Sequence, residues 1–513
     1  MQEGRRRSRR DKGGAHRPPA PKGGKPYWRQ WKNPFRCLEV LSEDHVEAIH
    51  EASLTVLSEI GIRVLSDPAR ALYAEAGADV DDDMMVRLDP ALVMEKVGLA
   101  PSSVTLQARN PACNATMGGN NVVIGTVGGP PFYSDLDGGR RDGSFRDFEN
   151  FCKLAQTFNV IHVMGTGTEP QDIPINVRHM HTARSLVTLT EKPGFIFFRG
   201  TQAVADSYEI FRIAHGLSEE EFRDTPVCYS VANSNSPLQL DGLMCRGIID
   251  AAVAGQAMVL TPFTLAGAMA PVTLAGALTQ QNAEALAGIC LAQIARAGAP
   301  VVYGSFTSNV DMRSGSPAFG TPEYTKAAFA SGQLARRYNL PLRSSAPTAS
   351  NCVDAQAAYE TQMSLWGAIM GGANFVLHGA GWLEGGLTAS AEKFIVDIEM
   401  LQMMAEVLQP LVVDDDTIGL DAMRDVGPGG HFFGTPHTIA RFEDAFYTPL
   451  VSDWRNFETW RDTGSVDATR RANRIFKETI MAFEAPPIDP GRVEEIDAFV
   501  ARRTEEGGAD IER

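Results

Sequence analysis

Residues His378 to Gly386 read HGAGWLEGG. A histidine can hydrogen-bond or move a proton, a tryptophan presents an electron-rich face to a cation, and a carboxylate supplies fixed negative charge. Gly379, Gly381, Gly385 and Gly386 interleave with those three, and glycine lets a backbone approach a ligand closely. The mixture is harder to explain as packing than any one member. His378, Trp382 and Glu384 are therefore the centre of the candidate site.

The chain on either side must position them. Leu340 to Ser345 is a short apolar run that stops at a Pro-Thr-Ala-Ser-Asn loop. Asp354 suits an N-cap, and the helix it opens has Tyr359, Met363, Trp366 and Ile369–Met370 along one apolar side, which we expect to face the core. Gly371 and Gly372 end that helix, and a second run from Asn374 to Leu377 leads directly into His378. Two parallel strands joined in this way need such a crossover helix.

The same unit recurs. Apolar, β-rich runs occur at 122–127, 160–165, 194–198, 226–231, 257–261, 300–305, 341–346 and 374–379. Each is followed by a Gly/Ser/Thr/Asn/Pro loop and a helical segment, beginning near 144, 177, 203, 239, 279, 322, 354 and 390. Eight such units over about 250 residues are what a (β/α)8 barrel requires. A doubly wound open sheet alternates similarly, but the count of eight and the absence of a GxGxxG fingerprint favour the barrel. We expect an α/β fold, a TIM barrel with N- and C-terminal helical additions. Its parts are a disordered basic tail (1–34), a helical and β layer packing on the barrel (35–118), the barrel (119–410) and a helical extension (411–513). In the second part Ser42 caps a helix whose apolar face is Val46, Ile49, Leu57 and Ile60.

Composition bounds the rest. The 513 residues are 44% hydrophobic and 21% charged, ordinary for a globular protein. No apolar run is long enough to cross a membrane, and no apolar segment follows the basic start as in a secretory signal. Seven scattered cysteines without a CxxC pair read as reduced thiols in a cytoplasm. Residues 1–32 carry eleven Lys/Arg against two Asp/Glu, and the rest carry 36 against 61, a net charge of −25. So acidic a body argues against nucleic acid as the ligand.

A barrel's active site lies at the C-terminal ends of its strands. The loops there are small and carry the aromatics Phe132, Tyr133, Phe263, Phe306 and Trp382. Their few ionisable groups are chiefly Glu169, Asp311, His378 and Glu384. No lysine stands at a strand end, which argues against Schiff-base chemistry. No HExxH or closely spaced ligand set points to a metal. Glu169 and Glu384 remain open as an acid/base pair for a barrel hydrolase.

These residues resemble the trimethylamine methyltransferase family, the MttB superfamily of corrinoid-dependent methyltransferases. The matching motifs are GTPEY (320–324), QLARRYNLP (333–341), DAQAAYE (354–360), GANFVLHGAGWLEGGLTASAEK (372–393), DVGPGGHFFGTPHT (425–438) and LSEDHVEAIHEASLTVLSEIGI (41–62). The resemblance covers roughly residues 35–500 and implies a TIM barrel that passes a methyl group from an amine to the cob(I)alamin of a separate corrinoid-binding protein. The cobalamin is then carried by the partner, with no cofactor or metal intrinsic to this chain, and the enzyme is expected to be a cytoplasmic homo-oligomer. Archaeal trimethylamine enzymes carry pyrrolysine just before the DxQA motif. Here that position falls near Asn351, which implies the non-pyrrolysine branch, some of whose members demethylate glycine betaine or related quaternary amines.

The implied site has His378, Glu384 and Asn351 as catalytic residues and Trp382, Phe132, Tyr133, Phe263, Phe306 and Glu169 as substrate-binding residues. A quaternary ammonium leaves as a neutral amine without protonation, and an aromatic mouth suits a permanent cation. A mouth otherwise nearly uncharged would let Glu384 dominate its local field. A betaine-binding protein without catalysis is the remaining alternative.

Overall fold

The computed structural model describes residues 28–510; residues 1–27, most of the expected basic tail, lie outside the described residues. Residues 28–34 are not a free arm. Trp31 and Lys32 pair antiparallel with Val122 and Asn121, and Trp28 and Trp31 set their rings edge-on to buried His162.

Eight strand positions close into a ring in chain order. Asn121–Ile124 pairs in parallel with Phe375–Leu377, and the series continues back through Leu342–Ser345, Val301–Gly304, Ala257–Pro262 and Cys228–Ser234 to Gly194–Phe195. The second position, at 163–164, closes the ring through bridges from Val163 to Gly125 and from Met164 to Gly194. Most strand residues are buried because helices cover the outside and side chains fill the inside. The hairpin of Ser103–Leu106 and Ala115–Gly118 packs Val104, Leu106 and Met117 into one cluster with Val123, Phe195, Tyr229 and Phe375.

The barrel helices are α1 Phe145–Thr157, α2 Ile175–Leu189, α3 Thr201–His215, α4 Gly242–Ala254, α5 Leu274–Ala295, α6 Pro322–Arg337, α7 Ala355–Gly371 and α8 Ala391–Val407. Their starts follow from local chemistry. Ser144 and Asp147 form a capping box on α1, Thr321 precedes Pro322 at α6, and Asp354 accepts the amide of Ala357 at α7. Helix α5 is apolar nearly all round because it is buried on both sides. Added helices Glu43–Thr55, Asp67–Glu75 and Pro90–Val97 lie on it. Glu43–Thr55 starts at Ser42 as its spacing predicts; Ile60, expected on its apolar face, is exposed.

Helix α7 is rotated relative to the expectation. Of its apolar side only Ile369 is buried, while Tyr359, Met363 and Trp366 face outward. The inward face carries, beside Glu360, Thr361, Leu365 and Ile369, the small residues Ala357, Ser364, Gly367, Ala368 and Gly371. Small residues let α6 come close: a Cβ on Gly371 would stand 2.8 Å from the carbonyl oxygen of Ala328.

The expected C-terminal extension divides. Residues 451–510 belong to the same compact unit as the barrel, whereas 411–450 fall outside it. The segment 411–450 is a run of short helices, Asp415–Ile418, Leu420–Val426 and Pro436–Ile439, and includes His431 and His437. No described helix is long and apolar enough to cross a membrane.

Candidate functional site

His378 follows the last barrel strand with φ +58°, a left-handed conformation costly for a residue with a side chain. That turn sets its ring over the strand ends. Its Nδ1 is 3.2 Å from Ser345 Oγ, and its ring centroid is 4.1 Å from that of Trp382. The Trp382 indole donates from Nε1 to the carbonyl of Thr348 at 3.1 Å. Gly386 is required beneath it, since a Cβ there would meet the indole at 2.5 Å.

Phe306 is the hub of the aromatic wall. It stacks on Phe263 and on Phe319, each at 5.3 Å, and meets His378 at 5.7 Å and Trp382 at 6.2 Å. Phe263, Phe306 and the His378–Trp382 pair come from the ends of three different barrel strands.

The loops carrying them are fastened from behind. Glu360, buried on α7, accepts hydrogen bonds from Thr348 Oγ1 at 2.5 Å, from Ala349 N at 2.9 Å and from Ser350 N at 3.2 Å. Asp397 accepts from Gly381 N at 2.8 Å and pairs with the fully buried Lys393, whose ammonium also donates to Thr361 on α7. Thus α7 and α8 hold the 346–352 and 378–386 segments in fixed relation.

Beside Phe306 lies a charge that strand-end reading missed. Arg343 projects from Leu342–Ser345 and is only 2% exposed. Its guanidinium carbon is 5.0 Å from the Phe306 centroid. Its one hydrogen bond among the described residues is a long one, 3.4 Å from Nη1 to the carbonyl of Ser305, and its Nε has no partner. No carboxylate of the described residues pairs with it. Burial pushes its pKa down to about 10. The same burial, with Arg343 nearby, holds His378 well below the usual histidine range, so the imidazole is neutral. One signal was available in the sequence: a single arginine inside an otherwise uncharged strand.

Other expected site residues are placed differently. Glu384 is not a free carboxylate, because Arg140 grips it at 2.7 and 3.1 Å, and that contact lowers its pKa. Glu169 is clamped between Arg178 at 3.1 Å and Arg199 at 2.6 Å. Phe132 has Arg140 over its ring at 3.7 Å, and buried Tyr133 has Arg141 over its ring at 4.4 Å. The hairpin carrying them, Phe132–Asp135 with Gly139–Asp142, pairs with Thr388–Ser390 just beyond Glu384. Asn351 and Cys352 are exposed on the 346–352 loop. Among the described residues no group of three His, Cys, Asp or Glu is arranged to hold a metal. The mouth is therefore cationic at its base, not uncharged.

A closed (β/α)8 barrel with an aromatic wall and a buried cation at its strand ends defines a barrel enzyme that binds a small molecule in its mouth. Sequence comparison gives the particular kind. The chain belongs to the trimethylamine methyltransferase (MTTB) family, whose profile matches residues 2–508. It is 39% identical to a glycine betaine methyltransferase of Desulfitobacterium hafniense strain Y51, over 91% of this chain and 98% of the relative. It is 30% identical to the trimethylamine methyltransferase MttB of D. hafniense strain DSM 10664, covering 87% and 90%. With MttB2 of Methanosarcina mazei the identity is 28%, covering 90% and 94%. The protein is a methyltransferase.

Proposed function

We propose that this methyltransferase takes a methyl group from a quaternary ammonium that also bears a carboxylate, a betaine, and delivers it to a corrinoid held by a separate protein. Arg343 is the observation that carries the carboxylate. A buried cation without a counter-ion is costly, and an anionic ligand group is its natural complement. The rings of Phe306, Phe263 and Trp382 supply faces for a permanent cation, each contributing about 0.5–2 kcal/mol. A zwitterion answers both features, whereas a bare trialkylammonium would sit beside an unneutralised guanidinium.

The chemistry asked of the chain is modest. A quaternary nitrogen departs as a neutral amine, so no acid is required, and a neutral His378 fits a role in orienting the substrate through the hydrogen-bonding edge of its ring. A reduced corrinoid would supply the nucleophile. What this chain supplies is a dry, fixed seat for the methylammonium and an approach to it: the 346–352 loop is made of small, uncharged residues, with Asn351 at its exposed end. The barrel mouth is then the docking face for the corrinoid protein.

The hydrolase alternative is disfavoured by the carboxylates themselves. A glycosidase-type pair needs one carboxyl with a raised pKa, but Glu384 is lowered and Glu169 lies between two guanidinium groups. The deciding assay measures methyl transfer to a corrinoid protein, or to free cob(I)alamin, from glycine betaine, choline, tetramethylammonium and trimethylamine. We expect the zwitterion to lead by at least about two orders of magnitude in kcat/KM, as a desolvated charge pair warrants. Equal rates for betaine and choline would remove the carboxylate from the reading. Tight betaine binding with no transfer under any condition would mark a binding protein instead.

A further inference from the structure

One buried amide stands behind the aromatic wall. Gln281 lies on α5, outside the barrel strands, and is fully buried. Its Oε1 accepts from the hydroxyls of Thr307 at 2.6 Å and Ser305 at 3.1 Å. Its Nε2 donates to Ser331 Oγ on α6 at 3.0 Å and to Tyr303 OH at 3.4 Å. Two bonds accepted and two donated use the whole capacity of the side chain.

The two hydroxyls on its oxygen flank Phe306. That ring meets Phe263, His378 and Trp382 in the mouth, while its chain neighbours turn back to α5. Thr307 also pairs its hydroxyl with that of Thr264, the residue after Phe263. A short parallel ladder, Leu265–Ala266 with Ser308–Asn309, joins the two segments just beyond. A shift at Thr307 is therefore passed on to Phe263. Ser305 in turn offers its carbonyl to Arg343. The next residue on α5, Asn282, donates to Ser53 Oγ at 3.0 Å and Tyr338 OH at 2.9 Å, and accepts from Tyr303 OH at 2.9 Å. These bonds tie α5 to the added helix Glu43–Thr55 and to the end of α6, so Gln281 has a fixed base.

We propose that Gln281 is a positioning residue for methyl transfer, setting Phe306 and Phe263 at the spacing that seats the methylammonium. The proposal rests on the reading that those rings hold the substrate cation. A buried amide with every bond made adds little net stability over an apolar side chain of similar volume. What a satisfied polar network adds is one defined geometry, and here that geometry is the placement of two ring faces. The nitrogen loses positive charge as its methyl group departs, so the rings hold the bound substrate more tightly than the transition state. Misplaced rings raise KM and leave kcat nearly unchanged.

The test uses the full chain. Without a corrinoid protein the substrate is not consumed, so calorimetry reads the dissociation constants of glycine betaine and choline directly. Gln281→Met should weaken both by about tenfold, the share of two ring faces. In the transfer assay it should raise KM with kcat held within about threefold. In a Phe306→Leu background, where the wall is already broken, the same substitution should change binding by less than about twofold. Gln281→Glu, which still accepts from Ser305 and Thr307, should recover most of the affinity. Fluorine NMR of protein labelled with para-fluorophenylalanine reads the rings without substrate. The signals of Phe263 and Phe306, assigned by replacing each with leucine, should move in Gln281→Met. Should that variant fail to fold, Thr307→Val, which removes only the hydroxyl, is read in the same way. Unmoved ring signals would overturn the proposal, as would equal losses of binding with and without Phe306. Moved signals with unchanged binding of both ligands would place the failure in the aromatic seat, and so in the proposed function, instead of in Gln281.

Discussion

The rim and the base of the barrel mouth treat charge in opposite ways. At the rim two carboxylates are matched by arginines: Glu384 by Arg140, and Glu169 by Arg178 and Arg199. At the base Arg343 stands without a counter-ion, buried among Phe306, Tyr324 and Tyr229. Matched rim charges fix the loops and hairpin to one another. An unmatched charge in a low-dielectric pocket does nothing for the fold and costs stability, so its reason is sought in what binds there. Function is legible in the charge that is left over.

The comparison is broken most directly at Arg343. Arg343→Met keeps the volume and removes the charge. For a betaine we expect kcat/KM to fall by two to three orders of magnitude, as when one partner of a desolvated pair is lost, about 2–5 kcal/mol. Thermal or denaturant unfolding should show the variant as stable as the wild type or more so. A variant that loses stability and activity together would show Arg343 to be structural. Next in size is the aromatic wall. Trp382→Ala should weaken binding of the methylammonium by about 1–2 kcal/mol, read by calorimetry with a substrate analogue. Trp382→Phe, which keeps a ring against His378, should recover most of it.

Proton chemistry sharpens the contrast. Burial first, and Arg343 second, hold His378 neutral in the folded state. An imidazole whose pKa is depressed on folding adds stability that is full above its unfolded pKa of about 6.5 and is lost as pH falls below that value. The slope from one such group is at most about 1.4 kcal/mol per pH unit. His162, also pushed down by burial to about 3, acts in the same direction over the same window. Unfolding free energy should therefore decline from pH 6.5 toward 4, and His378→Asn should flatten that decline by one group's share. Arg343→Met should raise the His378 pKa, followed by NMR of the ring protons. An unchanged His378 titration would show that the two groups do not sense each other.

Much of the fold could be read from the chain, for definite reasons. Barrel strands here are short apolar runs, and the helices announce themselves with Ser144, Thr321-Pro322, Asp354 and Ser390. Periodicity places Tyr359, Met363 and Trp366 on one side of α7 but does not say which side faces in. The decision was made by Gly332, Gly367 and Gly371, whose lack of side chains lets α6 and α7 meet closely. At the site, His378, Trp382, Phe306 and Phe263 follow from the rule that barrel chemistry gathers at strand ends, and the structure brings those four together. Arg343 escaped because it lies within a strand. Phe319 follows a short strand pair, Ser308–Val310 with Pro317–Ala318, instead of a barrel strand. The partners of Glu384 and Glu169 escaped because sequence distance hides them: Arg140 is 244 positions from Glu384.

The smallest effect expected tests the rim. Were Glu384 the charge that attracts the substrate, Glu384→Gln would harm cationic substrates and spare neutral isosteres. The geometry argues otherwise. Both oxygens of Glu384 are engaged by Arg140, and the hydroxyl of Thr388 donates to one of them. Arg140 is largely open to water, where an ion pair is screened and adds little. A carboxylate already neutralised by a guanidinium offers a distant ammonium almost no field. Glu384→Gln should thus change kcat/KM less than about threefold on top of any loop loosening, and by the same factor for zwitterionic and neutral substrates. The loss should shrink little when salt is raised, because no long-range attraction is being removed. A selective, salt-sensitive loss on cationic substrates would show that the ion pair opens in the working enzyme and that Glu384, not Arg343 alone, selects the substrate.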